Sequence, residues 1–294
     1  MNYNQNTHLK GLFIVMAGVF VLSFDALIVR LVETSPWNLV FWRGVLIALC
    51  IGTGVLIRSM RAPKADQPGK YRGLWQVSLT AGLGLVLFPV ALEHTSTANV
   101  VVILTLAPLF SAILARIFLH EKLSRATWVA IFTVCIGVAV IFSGSLTSGG
   151  IYGDLIALVA AFNFGLNIFL VRGRPHLGRR LITTGAGIVA AAVAFPLATP
   201  FALDTTTYVY LFITGAIQMP LALILIYTGT RYLPAAEVSL LILVETILAP
   251  IWVWLAVNEL PPKQTFWGGG LILSTLFVHS WIALRREKLS KESY

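Results

Sequence analysis

The chain has 294 residues, of which 57% are hydrophobic and 11% charged, with a formal net charge of +9. Its mean hydropathy is +0.86, whereas a soluble domain carries roughly a quarter charged residues. A soluble chain of this length could not hide so much apolar surface from water, so the composition excludes a soluble enzyme or binding domain and implies a polytopic membrane protein.

Ten apolar runs follow one another, at about 11–32, 37–57, 73–92, 96–118, 126–142, 152–171, 181–199, 206–228, 235–256 and 265–284. About 20 residues of helix cross the hydrocarbon layer. Short alternating strands of the kind a barrel needs are absent, so an all-α bundle of ten transmembrane helices is expected. The N-terminal segment is polar and lacks the basic region and small-residue cleavage site of a signal peptide, so the first helix is expected to be retained. The first run carries Phe20, Phe24 and Asp25; the second has Arg43 six residues inside it. The third holds Gly82, Gly84 and Pro89, and the fourth begins near Asn99, contains Pro108 and ends at His120-Glu121-Lys122. The sixth contributes Phe162, Phe164, Asn163 and Asn167, and the seventh Pro196. The eighth contributes Gln218, Pro220 and Tyr227, and the ninth Glu237, Glu245, Pro250, Trp252 and Trp254 before Asn258-Glu259. Cys50 and Cys135 sit inside apolar runs and read as packing residues, not as a disulfide or metal site.

Charge sets the expected orientation. With the N-terminus inside, every Lys and Arg of the 21 falls on the inner side except Arg30 and Lys263, outside, and Arg43, within a span. Both termini are then cytoplasmic, and the positive charge reports topology in the inner (plasma) membrane and no nucleic-acid partner.

The runs repeat. At an offset of 138, Ala98 meets Ala236, Val100 meets Val238, Ile113 meets Ile251, Glu121 meets Glu259 and Arg125 meets Lys263. At an offset of 142, Gly11 meets Gly153, Phe20 meets Phe162, Val29 meets Val171 and Arg30 meets Arg172. One membrane domain, 1–294, is thus expected to hold two five-helix copies, at about 8–145 and 150–286. Five is odd, so the second copy enters from the opposite side. Inverted repeats of this kind place a substrate near the midplane between the halves.

Pro36 followed by Phe41-Trp42-Arg43, the stretch Ala98 to Pro108, the turn Glu121-Lys122-Leu123-Ser124, and Asn258-Glu259-Leu260-Pro261 after Ala235-Ala236 resemble the drug/metabolite transporter superfamily, in its ten-helix EamA-type branch. The second copy departs from the first where Thr246 faces Pro108, its proline coming four residues later at Pro250. The resemblance implies a secondary transporter of small organic solutes, such as amino acids or amines, many of them moved outward.

Ionisable groups within spans default to functional roles. Asp25 and Arg43 sit at similar depth on adjacent spans and are expected to pair, as a structural or gating link. Glu245, near the midplane, has no cation at matching depth. It can be neutral in apolar surroundings, bind a cationic group of the substrate, or carry a coupling proton. Asn163 and Asn167 share a helix face. With Gln218 and Tyr227, they either line the cavity or tie helices together. Phe20, Phe24, Phe162 and Trp252 are candidate walls for a planar or cationic ligand, whereas Trp37, Trp42, Trp75, Trp128, Trp267 and Trp281 lie near span ends and read as an interfacial belt. The five histidines, His8, His94, His120, His176 and His279, are scattered, and no phosphate loop is present. No catalytic residue, metal or cofactor is therefore expected. A membrane enzyme or a channel is the alternative. The substrate is expected to be cationic or zwitterionic, and the carrier a monomer or homodimer.

Overall fold

The computed structural model describes residues 5–32, 34–61, 71–120, 125–174, 177–229, 232–233 and 235–292. The Glu121–Ser124 turn lies outside these. Every regular element among the described residues is helical. In order they are α1 (Gln5–Ser23), α2 (Asp25–Leu31), α3 (Pro36–Arg61), α4 (Leu74–His94), α5 (Thr97–Leu104), α6 (Ala107–Leu119), α7 (Arg125–Ser148), α8 (Ile151–Arg172), α9 (Arg179–Ala194), α10 (Thr205–Phe212), α11 (Met219–Gly229), α12 (Ala235–Val257) and α13 (Lys263–Glu292). A 3-10 turn, Phe195–Leu197, extends α9, and a π-helical turn, Ile213–Gln218, joins α10 to α11.

Each apolar run of the sequence falls on one helix or on helices in series. Among the described residues, eight stretches are long and apolar enough to cross a membrane: His8–Leu31, Pro36–Ile57, Leu74–His94, Thr97–Phe118, Thr127–Leu146, Ile151–Val171, Arg179–Leu197 and Thr205–Ile226. Leu241–Val257, in α12, is a shorter apolar helix, and the tenth run lies within α13.

Three runs are interrupted, each for a local reason. Pro108 stands in the first turn of α6; its missing N–H and its ring end α5 before it. Pro220 has the same effect on the eighth run, where the ladder slips into the π turn immediately upstream. Between α1 and α2 there is no proline. Ser23 Oγ donates instead to the Phe20 carbonyl at 2.7 Å, and Phe24 turns out of helix geometry at ψ −7°.

Close backbone approaches between helices of opposite halves help hold the bundle. A Cβ on Gly44 of α3 would lie 2.6 Å from the Gly187 carbonyl oxygen of α9, and one on Gly268 of α13 would lie 2.5 Å from the Gly137 carbonyl oxygen of α7. Small residues at these sites let backbones touch, which is how helices associate in lipid. Val100, Ile103 and Leu109 pack with Ala157, Val253 and Ile272 in a core shared by both halves of the chain. Many large apolar side chains face outward, among them Phe13, Phe132, Leu255 and Trp267. That is the surface a bilayer covers. Cys50 and Cys135, expected as packing residues, are exposed and unpaired.

Candidate functional site

Asp25 opens α2 and Arg43 lies about two turns into α3, so the short connection between the two helices brings them together. Arg43 Nη2 donates to Asp25 Oδ1 at 2.7 Å and Nη1 to Oδ2 at 3.2 Å, a bidentate pair. The same Nη2 donates to Thr214 Oγ1 at 2.8 Å, placing the π turn on the pair. Thr214 Oγ1 in turn donates to Gln218 Oε1 at 3.3 Å, and Gln218 Nε2 to the Val21 carbonyl at 3.2 Å. The π turn therefore closes over the pair. The two side chains are 1% and 4% exposed, so this ion pair is dry.

Glu245 stands on the face of α12 that carries Ala249 and Trp252, at positions i, i+4 and i+7. Ala249 is buried, while Ile247, Ile251, Trp254 and Leu255 on the opposite face are exposed. Glu245 consequently points into the bundle. It is half-buried and makes no hydrogen bond or ion pair with any described residue; the Asp25 carboxylate is near enough to act on it electrostatically. Two turns on, Trp252 stacks on Phe24 with ring centroids 4.9 Å apart and planes 12° apart. Phe20 meets both rings edge-on, at 5.2 Å and 6.0 Å. Trp252 Nε1 donates to Ser23 Oγ at 2.9 Å. The break between α1 and α2 is thus covered by an aromatic cluster on the same helix face as Glu245.

The amides sit elsewhere. Asn163 Nδ2 donates to the Thr80 carbonyl at 2.8 Å, and Asn167 Nδ2 to the Val77 carbonyl at 3.0 Å and Thr80 Oγ1 at 2.9 Å. Their donors join α8 to α4, as Gln218 joins the π turn to α1. Phe162 meets Phe110 edge-on at 5.6 Å, away from the Trp252 cluster. Tyr227 belongs to α11, and Glu237 to α12; both side chains lie outside the described part. The structure thus gathers Asp25, Arg43, Phe20, Phe24, Gln218, Glu245 and Trp252 around α1, α2 and α12, and leaves Asn163, Asn167 and Phe162 on a second seam. Among the described residues no group of His, Cys, Asp or Glu could hold a metal ion.

Sequence reasoning missed a second polar cluster. Asp154, fully buried in the first turn of α8, accepts from Thr95 Oγ1 at 2.6 Å, from Asn99 Nδ2 at 3.0 Å and from Ser145 Oγ. Thr265 Oγ1 donates to Asn99 Oδ1. Beside it Arg30 and Glu259 form an ion pair at 2.9 Å. The available signal was that Arg30 is one of two basic residues standing against the charge bias.

Many apolar helices with buried polar groups held between them define a multi-pass membrane protein. The EamA-like transporter family model matches residues 9–143 and again 151–281, and the chain belongs to that family. It is 25% identical over 270 residues, 87% of this chain and 85% of the relative, to an uncharacterized transporter of Bacillus subtilis, YdfC. Over 129 residues, 44% of each chain, it is 32% identical to a riboflavin transporter of Brucella anthropi. A solved crystal structure resembles the fold with a TM-score of 0.63 at 15% identity, covering 94% of this chain and 99% of the other.

Proposed function

We propose that the protein is a secondary-active transporter that moves a small cationic or zwitterionic organic solute, an amine or amino acid, by alternating access. Export is the direction proposed. The observation that carries this reading is Glu245: an inward-facing, half-buried carboxylate with no hydrogen bond or ion pair among the described residues, two helical turns from the Trp252 aromatic cluster on the same face of α12. A carboxylate in such surroundings is costly unless a cation or a proton neutralises it, and an organic ammonium gains from aromatic faces as well. The same residue can carry a coupling proton when the solute is absent. Arg43 does not cancel the preference for a cation, because Asp25 already neutralises it.

The carrier architecture is ten transmembrane helices in two inverted five-helix repeats, with cytoplasmic termini in the inner membrane. Four observations support it. The family model matches once in each half. Helix contacts persist when the halves are exchanged: α1 packs on α11 as α8 packs on α4, α1 on α12 as α8 on α5 and α6, while α3 pairs with its counterpart α9 and α7 with α13. The amide ties follow the same exchange, since Asn163 reaches α4 and Gln218 reaches Val21, the counterpart of Asn163. His120 and Asn258, 138 positions apart, both end their helices at φ 55°, a conformation few non-glycine residues adopt.

A second reading has one observation behind it. The Phe24–Trp252 stack suits a flat, neutral heteroaromatic solute, and one relative is a riboflavin transporter. Both readings are tested by thermal unfolding of the purified protein against amines, amino acids, organic anions and riboflavin, with Glu245→Gln alongside. A ligand raises apparent stability by RT ln(1 + [L]/Kd). Stabilisation by a cationic or zwitterionic solute that disappears in Glu245→Gln supports the first reading. Stabilisation by riboflavin that survives it supports the second. Stabilisation only by anions contradicts both.

A further inference from the structure

We propose that α2 is a gate at the end of the bundle that the charge bias assigns to the outside, with Arg30–Glu259 as its latch. The inference rests on the transport reading above. Glu259, from the second half, enters a ring of first-half groups. Arg30 Nε meets Glu259 Oε2 at 2.9 Å and Arg30 Nη2 donates to Oε1 at 3.3 Å. Thr97 N, in the first turn of α5, donates to the same Oε1 at 2.6 Å, so the carboxylate caps a helix N–H that has no partner within its own helix. Arg30 also donates to the Thr95 carbonyl at 2.8 Å and Thr97 Oγ1 at 3.2 Å. Asn258, in its left-handed conformation, ends α12 immediately before Glu259. Thr95 and Asn99, on Asp154, make a second crossing between the halves next to the first.

Exposure distinguishes the fixed end of α2 from the movable one. Arg30 and Glu259 are each 24% exposed, so water is at hand to solvate both charges when they part. Asp25 and Arg43, at the other end of the same seven-residue helix, are 1–4% exposed and would be left uncompensated if separated. α2 therefore has an anchored end at Asp25 and a latch roughly 8 Å along the helix at Arg30. The turn at Phe24, where the chain leaves α1, lies under Trp252. A solute that settles beside Glu245 and shifts Trp252 acts directly on the pivot, which links occupancy of the site to release of the latch.

The test needs no known substrate. With Cys50→Ala and Cys135→Ala as background, Glu245→Cys is labelled with a membrane-impermeant thiol reagent, on intact cells and on inverted vesicles, so that sidedness is measured. The proposal expects slow labelling from the Arg30 side. Arg30→Ala and Glu259→Gln should each speed it roughly tenfold, the scale of a lost hydrogen bond to a charged group, and Lys263→Ala should not. Glu259→Gln keeps the acceptor's shape and so separates loss of the latch from loss of fold. Fast labelling from that side in the parent, or equal rates in parent and both latch variants, overturns the proposal. Failure of every solute to stabilise or to be moved would instead count against the transport reading.

Discussion

Consider the removal of Asp25. Its carboxylate takes both terminal nitrogens of Arg43, at 2.7 Å and 3.2 Å, in a setting with almost no water. Asp25→Asn leaves the guanidinium with a neutral acceptor and Thr214, and a buried charge stripped of its partner costs about 3–5 kcal/mol. Arg43→Met strands the carboxylate and should cost a similar amount. The double variant Asp25→Asn/Arg43→Met removes both charges and should cost no more than either single variant, giving a coupling of about 3 kcal/mol or more, at the upper end for contacting residues. Denaturant titration of the purified protein in micelles measures all four corners. Single variants within about 0.5 kcal/mol of the parent, the range of an ordinary surface change, would refute the reasoning. A double variant that is stable and still binds solute would assign the pair to architecture; one that is stable and no longer binds would assign it to the substrate.

Further outcomes follow from other contacts. Gly44→Ala should destabilise by about 1–3 kcal/mol, because its Cβ would meet the Gly187 carbonyl and the Ala191 backbone nitrogen within 2.7 Å; an unchanged unfolding midpoint would contradict the close approach of α3 and α9. Trp252→Phe keeps a ring against Phe24 but loses the bond to Ser23, worth about 1 kcal/mol, so solute-induced stabilisation should fall less than in Trp252→Ala; equal losses would deny the stack a role. Asp204 caps α10, and its carboxylate is held below the usual carboxylate range by bonds from the Thr207 hydroxyl and backbone N–H. Its contribution is therefore present above the ordinary carboxylate range and lost as pH falls through the lowered folded value. Asp204→Ala should be less stable at neutral pH and converge on the parent in acid, as thermal unfolding across pH would show; a constant difference would contradict the cap.

The elements that sequence reasoning located are those for which lipid does the specifying. An apolar run must be a helix in a bilayer, so the runs coincide with helices although few polar contacts mark them. Asp25 and Arg43 could be paired on paper because depth along two adjacent spans is one-dimensional arithmetic. Position around the helix is harder, and there the legibility ends. Asn163, Asn167 and Gln218 stand at the depth of a cavity, yet each amide is taken by a carbonyl of a neighbouring helix, which depth alone does not reveal. The turn at Phe24 was invisible because a serine hydroxyl and a tryptophan from a distant span hold it, with neither proline nor glycine present. The ring around Glu259 depends on Thr95, Thr97 and Arg30, a constellation spread over 229 positions, and only the misplaced charge of Arg30 hinted at it. Asp154 sits at the edge of an apolar run, where a carboxylate reads as a solvated end; the packing of α5, α7 and α8 around it makes it a buried centre.

The central claim is tested most directly by uptake in proteoliposomes. The solute that stabilises the purified protein would be followed into vesicles preloaded with the same solute, for the parent and for Glu245→Gln. The account predicts saturable exchange in the parent and its loss in Glu245→Gln, with a normal unfolding midpoint in that variant. Exchange at the parental rate without the Glu245 carboxylate would contradict it.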